Sequence, residues 1–477
     1  MITLLTAAIC LMTACSDDIT AGRVTDEGQT AATLNVDYTE PISDGNRIVY
    51  EMNLYDFTSE GTLASATEAL DKLDRLGVDI VWLMPIYDRG DQGKIGSLGS
   101  PYAVKDYKSI NPDFGTLTDL QQFVSKAHTL GMKIWLDWVP NHTAKDNTWT
   151  TTHPEYYTHD AEGNFLSPAN YSDVYQLDYT CEALQQAMID AMQYWQDNAD
   201  IDGFRCDYVS SAAIPADFWT RAITQLKEHK PGTEMLGEAD FCDPSAKRLF
   251  GCGFDFDYAW AFNTDLKDIG TTAEGITLRD DCKALYYNTN YNDMDRMVYL
   301  TNHDDAETGH YYLDVMGDNV YAYTVVMFTI YGIPLIYNGQ EIGYPEKMSL
   351  YEREPISWDK PDVKMQNTIR TLITLKHTQP ALANGKKDER GNIQFLNTSL
   401  ARVMAFKRVK NGNEVLVIVN LGKAGEVKIS GLTDGDYTKY LDSQTVTDNI
   451  TTTTSHLYNE TTFNMADHGY CIYVLNR

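Results

Sequence analysis

Eight short apolar runs, most of them followed by a helix-forming segment, constrain this chain more than any other feature. They are RIVYEMN (47–53), VDIVWLMPI (78–86), MKIWLDWV (132–139), IDGFRCD (201–207), EMLGE (234–238) and the runs at 253–257, 297–302 and 333–338. The second and third are apolar without alternation, which predicts strands buried on both faces of a parallel sheet. Amphipathic segments precede them, LASATEALDKLDRLG (63–77) and LTDLQQFVSKAHTLG (117–131), each stopped by Gly; others lie at 181–199, 215–229 and 363–378. Eight βα units within 47–383 predict an α/β fold, a (β/α)8 TIM barrel. An open doubly wound sheet is the alternative. It would need a Gly-rich phosphate turn near its start, and the sequence carries none.

Two regions break the rhythm. Residues 143–178, between the third strand and its helix, are rich in Asp, Asn, Tyr and His. They are too many for an ordinary βα loop and predict a small inserted subdomain. After 384 the helical signal ends. RVMAFKRV, EVLVIVNL and GYCIYVL alternate with Gly and Asp turns, which predicts a C-terminal all-β sandwich over 384–477.

The N-terminus reads as an address rather than as fold. TLLTAAICLMTA (3–14) is too short to span a bilayer and has the length of a signal-peptide core. Small residues then precede Cys15. The stretch 1–15 resembles a bacterial lipoprotein signal with Cys15 as the lipidated residue, although no Lys or Arg precedes the apolar run. Ser16, Asp17 and Asp18 resemble the acidic signal of surface-exported lipoproteins, and 16–46 reads as a polar tether. The expectation is an exported protein, lipid-anchored to the outer membrane at the cell surface, touching the membrane only through that anchor. A periplasmic or secreted protein is the alternative.

Composition excludes partners more than it selects one. A formal net charge of -30 repels phosphate backbones and anionic headgroups, so nucleic acid is not an expected partner, whereas a neutral polymer is unaffected. Tyr outnumbers Phe 31 to 15, and its apolar face with a polar tip suits sugars, though packing is its commoner use. Of eight Cys, six lie beyond the leader, at 181, 206, 242, 252, 282 and 471. They form no CxxC or Cys/His cluster, so a zinc site is unsupported. Export permits disulfides, but spacing does not pair them.

The polar residues at the predicted strand ends are selective. The third strand ends in Asp137, Asn141 and His142, the fourth in Arg205 and Asp207, the fifth in Glu238, and the seventh in Asn302, His303, Asp304 and Asp305. In a TIM barrel those ends form the active site. Retaining glycoside hydrolysis needs one carboxylate to attack the anomeric carbon and a second carboxyl, about 5–5.5 Å away, to protonate the leaving oxygen. The protonated group needs a raised pKa, which crowding by other carboxylates supplies. An Arg two residues before a strand-end Asp shares its face and can keep it ionised. Cys206, between them, points to the other face as a small buried residue.

DWVPNH (137–142), GFRCD (203–207), GEAD (237–240) and LTNHD (300–304) resemble, in order and strand context, the four signature segments of the α-amylase family, glycoside hydrolase family 13. SPYAVKDYKSINPDFGT (100–116), YQLDY (175–179) and GIPLIYNGQE (332–341) add to the resemblance, which spans about 47–380. It implies Asp207 as nucleophile, Glu238 as general acid/base and Asp304 as a third carboxylate. It implies that Arg205 orients Asp207, that His142 and His303 bond the sugar being cleaved, and that Tyr102 stacks beneath it. Asp106 and Asp137 read as structural. The implied substrate is an α-glucan or maltooligosaccharide, with α-1,4 hydrolysis first and neopullulanase-like, α-1,6 or transfer action as alternatives. A barrel that only binds glycan, in partnership with other components of a glycan-uptake system, would lack one of the carboxylates, and all three are present.

The family's chemistry needs no cofactor, but many members hold a structural calcium between barrel and insertion. The implied ligands are the signature Asn, an Asp of the motif that reads YQLDY here, and a backbone oxygen of a His after the nucleophile. Asn141 is present as the metal-ligand candidate; Gln176 and Ser211 stand at the other two positions, leaving Asp173, Asp178 or carbonyls as substitutes. The acidic turn DRGDQG (88–93) is the other stretch with metal-binding residue types. The leader carries its own test. Cys15→Ser is expected to move the protein from the membrane fraction to the soluble one; unchanged membrane retention would refute the anchor.

Overall fold

The computed structural model describes residues 46–476 apart from 170, 288–293, 309–310, 386–388 and 448–449. Cys15 and nearly all of the tether lie outside the described residues. Eight strands close into a parallel barrel: β1 (Val49–Met52), β2 (Ile80–Leu83), β3 (Lys133–Trp138), β4 (Gly203–Cys206), β5 (Glu234–Gly237), β6 (Phe256–Tyr258), β7 (Asp295–Val298) and β8 (Ile333–Tyr337). The eight expected strands are the eight found, and the doubly wound alternative is excluded by the pairing of β1 with β8 as well as with β2.

Strand alternation divides the side chains into two separate cores. Val49, Ile80, Trp82, Trp135, Leu236, Tyr258, Met297 and Leu335 fill the barrel interior. Tyr50, Val81, Leu83, Ile134, Leu136, Phe204, Met235 and Val298 pack outward against the helices. That is why the strands read as continuously apolar: neither face meets water. Gly203 is required by the inner core. A Cβ there would lie 2.5 Å from the Trp135 ring and 2.5 Å from the Glu234 carbonyl.

The helices begin and end where their caps dictate. Leu63–Leu76 starts at Thr62, whose side chain and Ser65 form a reciprocal capping box, and stops at Gly77 with φ 100°. Leu117–Thr129 starts with the same device, built from Thr116 and Asp119. The insertion after β3 is held by a two-stranded antiparallel sheet, His142–Ala144 with Val174–Gln176.

Two strands shift from their sequence-based positions. β6 is 256–258 rather than 253–257, and β7 is 295–298 rather than 297–302. The start of β7 moves because a buried ionic cluster escapes an apolarity pattern. Arg296 on β7 donates from Nε to Asp257 at 3.1 Å and from Nη2 to Asp240 at 2.6 Å. His303, Asp304 and Asp305 consequently lie on a short helix, His303–Thr308, beyond the end of β7.

Beyond the last barrel helix, Val363–Thr378, nine strands follow among the described residues: β9 (Asn392–Phe395), β10 (Asn397–Thr398), β11 (Val403–Lys410), β12 (Asn413–Asn420), β13 (Gly425–Ser430), β14 (Gly435–Asp442), β15 (Thr453–Leu457), β16 (Glu460–Met465) and β17 (Tyr470–Leu475). They form a six-stranded sheet, β9-β11-β12-β17-β14-β15, and a three-stranded sheet, β10-β13-β16. Leu416, Ile418, Val427, Ile429 and Phe463 are buried between the two sheets. The other face of the larger sheet joins the barrel's outer core through Phe406, Val417 and Ile472. Arg408, fully buried, donates to the carbonyls of Thr329 and Ala383 and ties the two parts together. Among the described residues the six cysteines are free thiols, and no helix is long and apolar enough to cross a membrane.

The Arg296 cluster yields a stability prediction. Removing Arg296 takes the opposite charge away from Asp257, which has no exposure and keeps its bond from the Phe241 N–H, so Arg296→Met should cost about 3–5 kcal/mol, read as a lower denaturant midpoint. An unchanged midpoint would show the pair to be dispensable.

Candidate active site

Arg205 is the centre of the site. It lies on β4, directly opposite Asp137 on β3, and is fully buried. Its Nη1 donates to Asp137 Oδ1 at 2.9 Å and to Asp207 Oδ1 at 3.2 Å. Its Nη2 lies 2.7 Å from Glu238 Oε1, and its Nε donates to Tyr258 Oη at 3.2 Å. One guanidinium therefore touches three carboxylates from three consecutive strands. Its faces rest on aromatic rings, with Trp82 at 5.0 Å and Tyr102 at 5.7 Å. Burial works against its charge, and Asp137 and Glu238 outweigh burial, so it stays cationic.

Asp207 and Glu238 differ in surroundings. Burial raises Asp207 to about 6, with Arg205 pulling down and Asp137 and Asp304 pushing up. Burial raises Glu238 further, to about 8, with Asp207 and Asp304 adding to the rise against Arg205. Glu238 Oε2 accepts a 2.6 Å hydrogen bond from the Tyr208 backbone N–H. The charge count points the same way. Four carboxyls, Glu51, Asp137, Asp207 and Glu238, share the two cations Arg205 and His303, which favours retention of a proton near neutral pH.

The remaining expected residues gather round this pair. Tyr102 Oη donates to Asp137 Oδ2 at 3.1 Å and lies 2.8 Å from His303 Nε2, and its ring stacks on the imidazole at 5.4 Å. His303 Nε2 is 3.4 Å from Asp304 Oδ1. Half of the Asp304 side chain is exposed, and it borders an open cleft of about 590 Å³ that Trp260, Tyr299 and Lys267 also line. His142 is buried, which lowers it to about 4, so it is a neutral imidazole. Asp305, by contrast, turns to Lys267, and Asp106 accepts from the Lys108 backbone N–H.

Asn141 is brought to the insertion, but its oxygens are already taken. Ser211 Oγ donates to Asn141 Oδ1 at 2.7 Å, and Gln176 Nε2 donates to the Asn141 carbonyl at 2.7 Å and to Oδ1 at 3.2 Å. A carbonyl only accepts, which fixes the amide's N–H end toward it. A calcium wants bare oxygens, several of them charged, and here hydrogens point at both Asn141 oxygens. Asp178 Oδ1 accepts from the Thr180 backbone N–H and hydroxyl. These residues do not fit the ion. Among the described residues no group of three or more His, Cys, Asp or Glu could hold a metal, at DRGDQG or elsewhere.

Sequence reasoning missed Glu51 and Tyr171. Glu51 Oε1 lies 2.5 Å from His303 Nδ1, fully buried inside the barrel. Burial opposes a charged His303, but Asp304 and Glu51 hold it up to about 10, so it is an imidazolium whose Nε2–H is a fixed donor. Burial raises Glu51 too, so the proton is held by the pair. A carboxylate inside the apolar run RIVYEMN was the available signal. Tyr171, half exposed, stacks on His142 at 5.8 Å from within the insertion, where no periodicity marks it. The pair can be tested directly. Glu51→Gln should bring the His303 imidazole down toward its ordinary value of about 6.5, followed by NMR titration of the ring. A value still near that of the wild type would refute the pairing.

With this geometry in hand, the comparisons with known proteins are specific. The family profile described as the alpha amylase catalytic domain matches residues 37–175 and 155–379. Alpha-amylase MalA of Haloarcula japonica is 27% identical over 406 residues, 81% of this chain and 57% of its own length. An alpha-1,4-glucan:maltose-1-phosphate maltosyltransferase of Salinibacter ruber is 25% identical over 408 residues, 79% of this chain and 59% of its own. The chain thus spans little more than half of these two curated relatives. Solved structures match end to end. An alpha-amylase from Lactobacillus plantarum superposes with a TM-score of 0.75 at 29% identity, over 90% of this chain and 99% of that one. A noncanonic maltogenic alpha-amylase from Thermotoga neapolitana superposes at 0.76, with 24% identity, over 91% and 99%. Profile, fold and the convergence on Arg205 agree: the chain is an enzyme of the alpha-amylase family.

Proposed function

We propose that this protein is a retaining glycoside hydrolase that cleaves α-1,4-glucosidic bonds in starch-like glucans or maltooligosaccharides. The observation that carries the reading is the sharing of Arg205 between Asp207 and Glu238. Contact of one planar guanidinium with both carboxyls favours a separation near the about 5–5.5 Å of retaining enzymes. In the first step Asp207 attacks the anomeric carbon while Glu238 gives its proton to the departing glycosidic oxygen. A covalent glycosyl-Asp207 ester forms, and the C–O bond to the leaving sugar breaks. In the second step Glu238, now a carboxylate, takes a proton from water, and the hydroxyl displaces Asp207.

The surroundings support each role. Arg205 favours ionised Asp207, the more acidic of the two, and burial keeps Glu238 protonated near neutral pH. Asp304 stands exposed at the cleft, free to bond sugar hydroxyls and to oppose the positive charge of an oxocarbenium-like transition state. The His303 imidazolium and neutral His142 would hold hydroxyls, and the Tyr102 ring offers a stacking face. No step needs a cofactor. Transfer to a second sugar instead of water uses the same residues, and maltosyltransferases are among the relatives. The cellular setting we infer is the outer surface of the outer membrane, through a lipid on Cys15, beside other components of a glycan-uptake system.

Asp207→Asn should abolish turnover of amylose while leaving the melting temperature near that of the wild type; near-normal activity would sink the assignment, and glycan binding without turnover in the wild type would favour a binding-only protein. Glu238→Gln should lose roughly 10²–10⁴-fold on amylose and much less on aryl glycosides, whose leaving group needs no proton. Products from amylose, pullulan and panose separate α-1,4 hydrolysis from α-1,6 cleavage and from transfer.

A further inference from the structure

We propose that Arg248 supplies from within the chain the positive charge that fixes the segment after Asp207, holding the Tyr208 N–H on Glu238 where a bound calcium would otherwise be needed. This rests on the proposed role of Glu238.

Three observations converge. The first is the carbonyl array. Arg248 Nη2 lies 2.6 Å from the Ser211 carbonyl, 3.3 Å from that of Ser210 and 3.4 Å from that of Val209. Successive carbonyl oxygens turned toward one point repel one another unless a cation sits among them, and the guanidinium nitrogen occupies that point.

The second is strain. Tyr208 has φ +42°, a left-handed backbone that a bulky residue adopts only when its surroundings impose it. That conformation aims its N–H at Glu238 Oε2, 2.6 Å away. The Tyr208 carbonyl also accepts from the Ser211 N–H, so fixing Ser211 fixes the turn.

The third is connectivity. Arg248 lies on the short turn Lys247–Leu249, which follows Glu238 along the chain, whereas Val209, Ser210 and Ser211 follow Asp207. The contact therefore ties the loop after β4 to the loop after β5, the two that carry the reacting carboxyls. On its other side Ser211 donates to Asn141 Oδ1, which links the same turn to β3 and, through Gln176, to the insertion. Hydrogen bonds and one guanidinium thus join the elements that the missing ligand set would have joined. Arg248 is a positioning residue and touches no reacting atom.

The test uses the full chain. Wild-type protein treated with EDTA is expected to keep its melting temperature and its kcat on a maltooligosaccharide, with no gain on adding calcium. Arg248→Met, which keeps most of the stem and removes the charge, should lower kcat by about ten-fold or more, as loss of a positioned donor does. KM should stay within about two-fold, and Arg248→Lys should restore most of kcat. A melting temperature that falls in EDTA and returns with calcium overturns the proposal. So does a wild-type kcat in Arg248→Met, or an equal loss in the Met and Lys variants. If Arg248→Met does not fold, the EDTA arm decides alone. If the wild type turns over no glucan, the proposed function has failed, and the melting arm still reports on calcium.

Discussion

The buried charge of Arg205 is the constraint on which the site depends. A guanidinium with no exposure costs several kcal/mol of desolvation unless it is fully paired. Here the pairing comes from Asp137, Asp207 and Glu238, so their positions and its own are fixed together. Such clusters contribute little net stability compared with well-packed apolar residues. What this one does is fix geometry: three strands must hold their register for the charges to meet, and the β3 to β4 register that pairs Asp137 with Arg205 does so.

The barrel beneath makes that possible. Trp82, Trp135, Phe256 and Tyr258 fill the interior below and beside the guanidinium, so water does not reach its faces. The same low-polarity environment separates Asp207 from Glu238. Both are raised by burial, but Asp207 is held lower by Arg205 and Glu238 stands higher, giving one ionised group and one protonated group near neutral pH. A second buried pair, Glu51 with His303, works on the opposite side of the barrel mouth and turns a histidine into a fixed donor beside Tyr102 and Asp304.

The loops above the barrel hold a second polar set. Asn141, Gln176, Ser211 and Arg248 form a closed set of donors and acceptors around the turn that follows Asp207. Arg248 is an ordinary polar residue in sequence, and Asn141, Gln176 and Ser211 were marked there only as positions of a metal-ligand set. Only their meeting, from β3, the insertion and the loops after β4 and β5, gives them a joint effect.

Much was legible in the chain itself. Period and apolarity located all eight barrel strands, because strands buried on both faces leave an unbroken apolar trace, and polar residues at their ends marked Asp137, Arg205, Asp207 and Glu238. Arg296 defeated the same reading at the start of β7, since a paired charge looks polar in sequence while being buried in the fold. Glu51 was hidden for a related reason: its partner His303 lies 252 residues away, and nothing local signals the pairing. The sequence by itself determined the barrel, the order of the carboxylates and the apolar cores, because those follow from local periodicity. The tertiary structure alone decided which carboxyl keeps its proton, that Glu51 and His303 hold a buried proton between them, and that hydrogens face the oxygens of Asn141, because each depends on charges and donors brought together from distant parts of the chain.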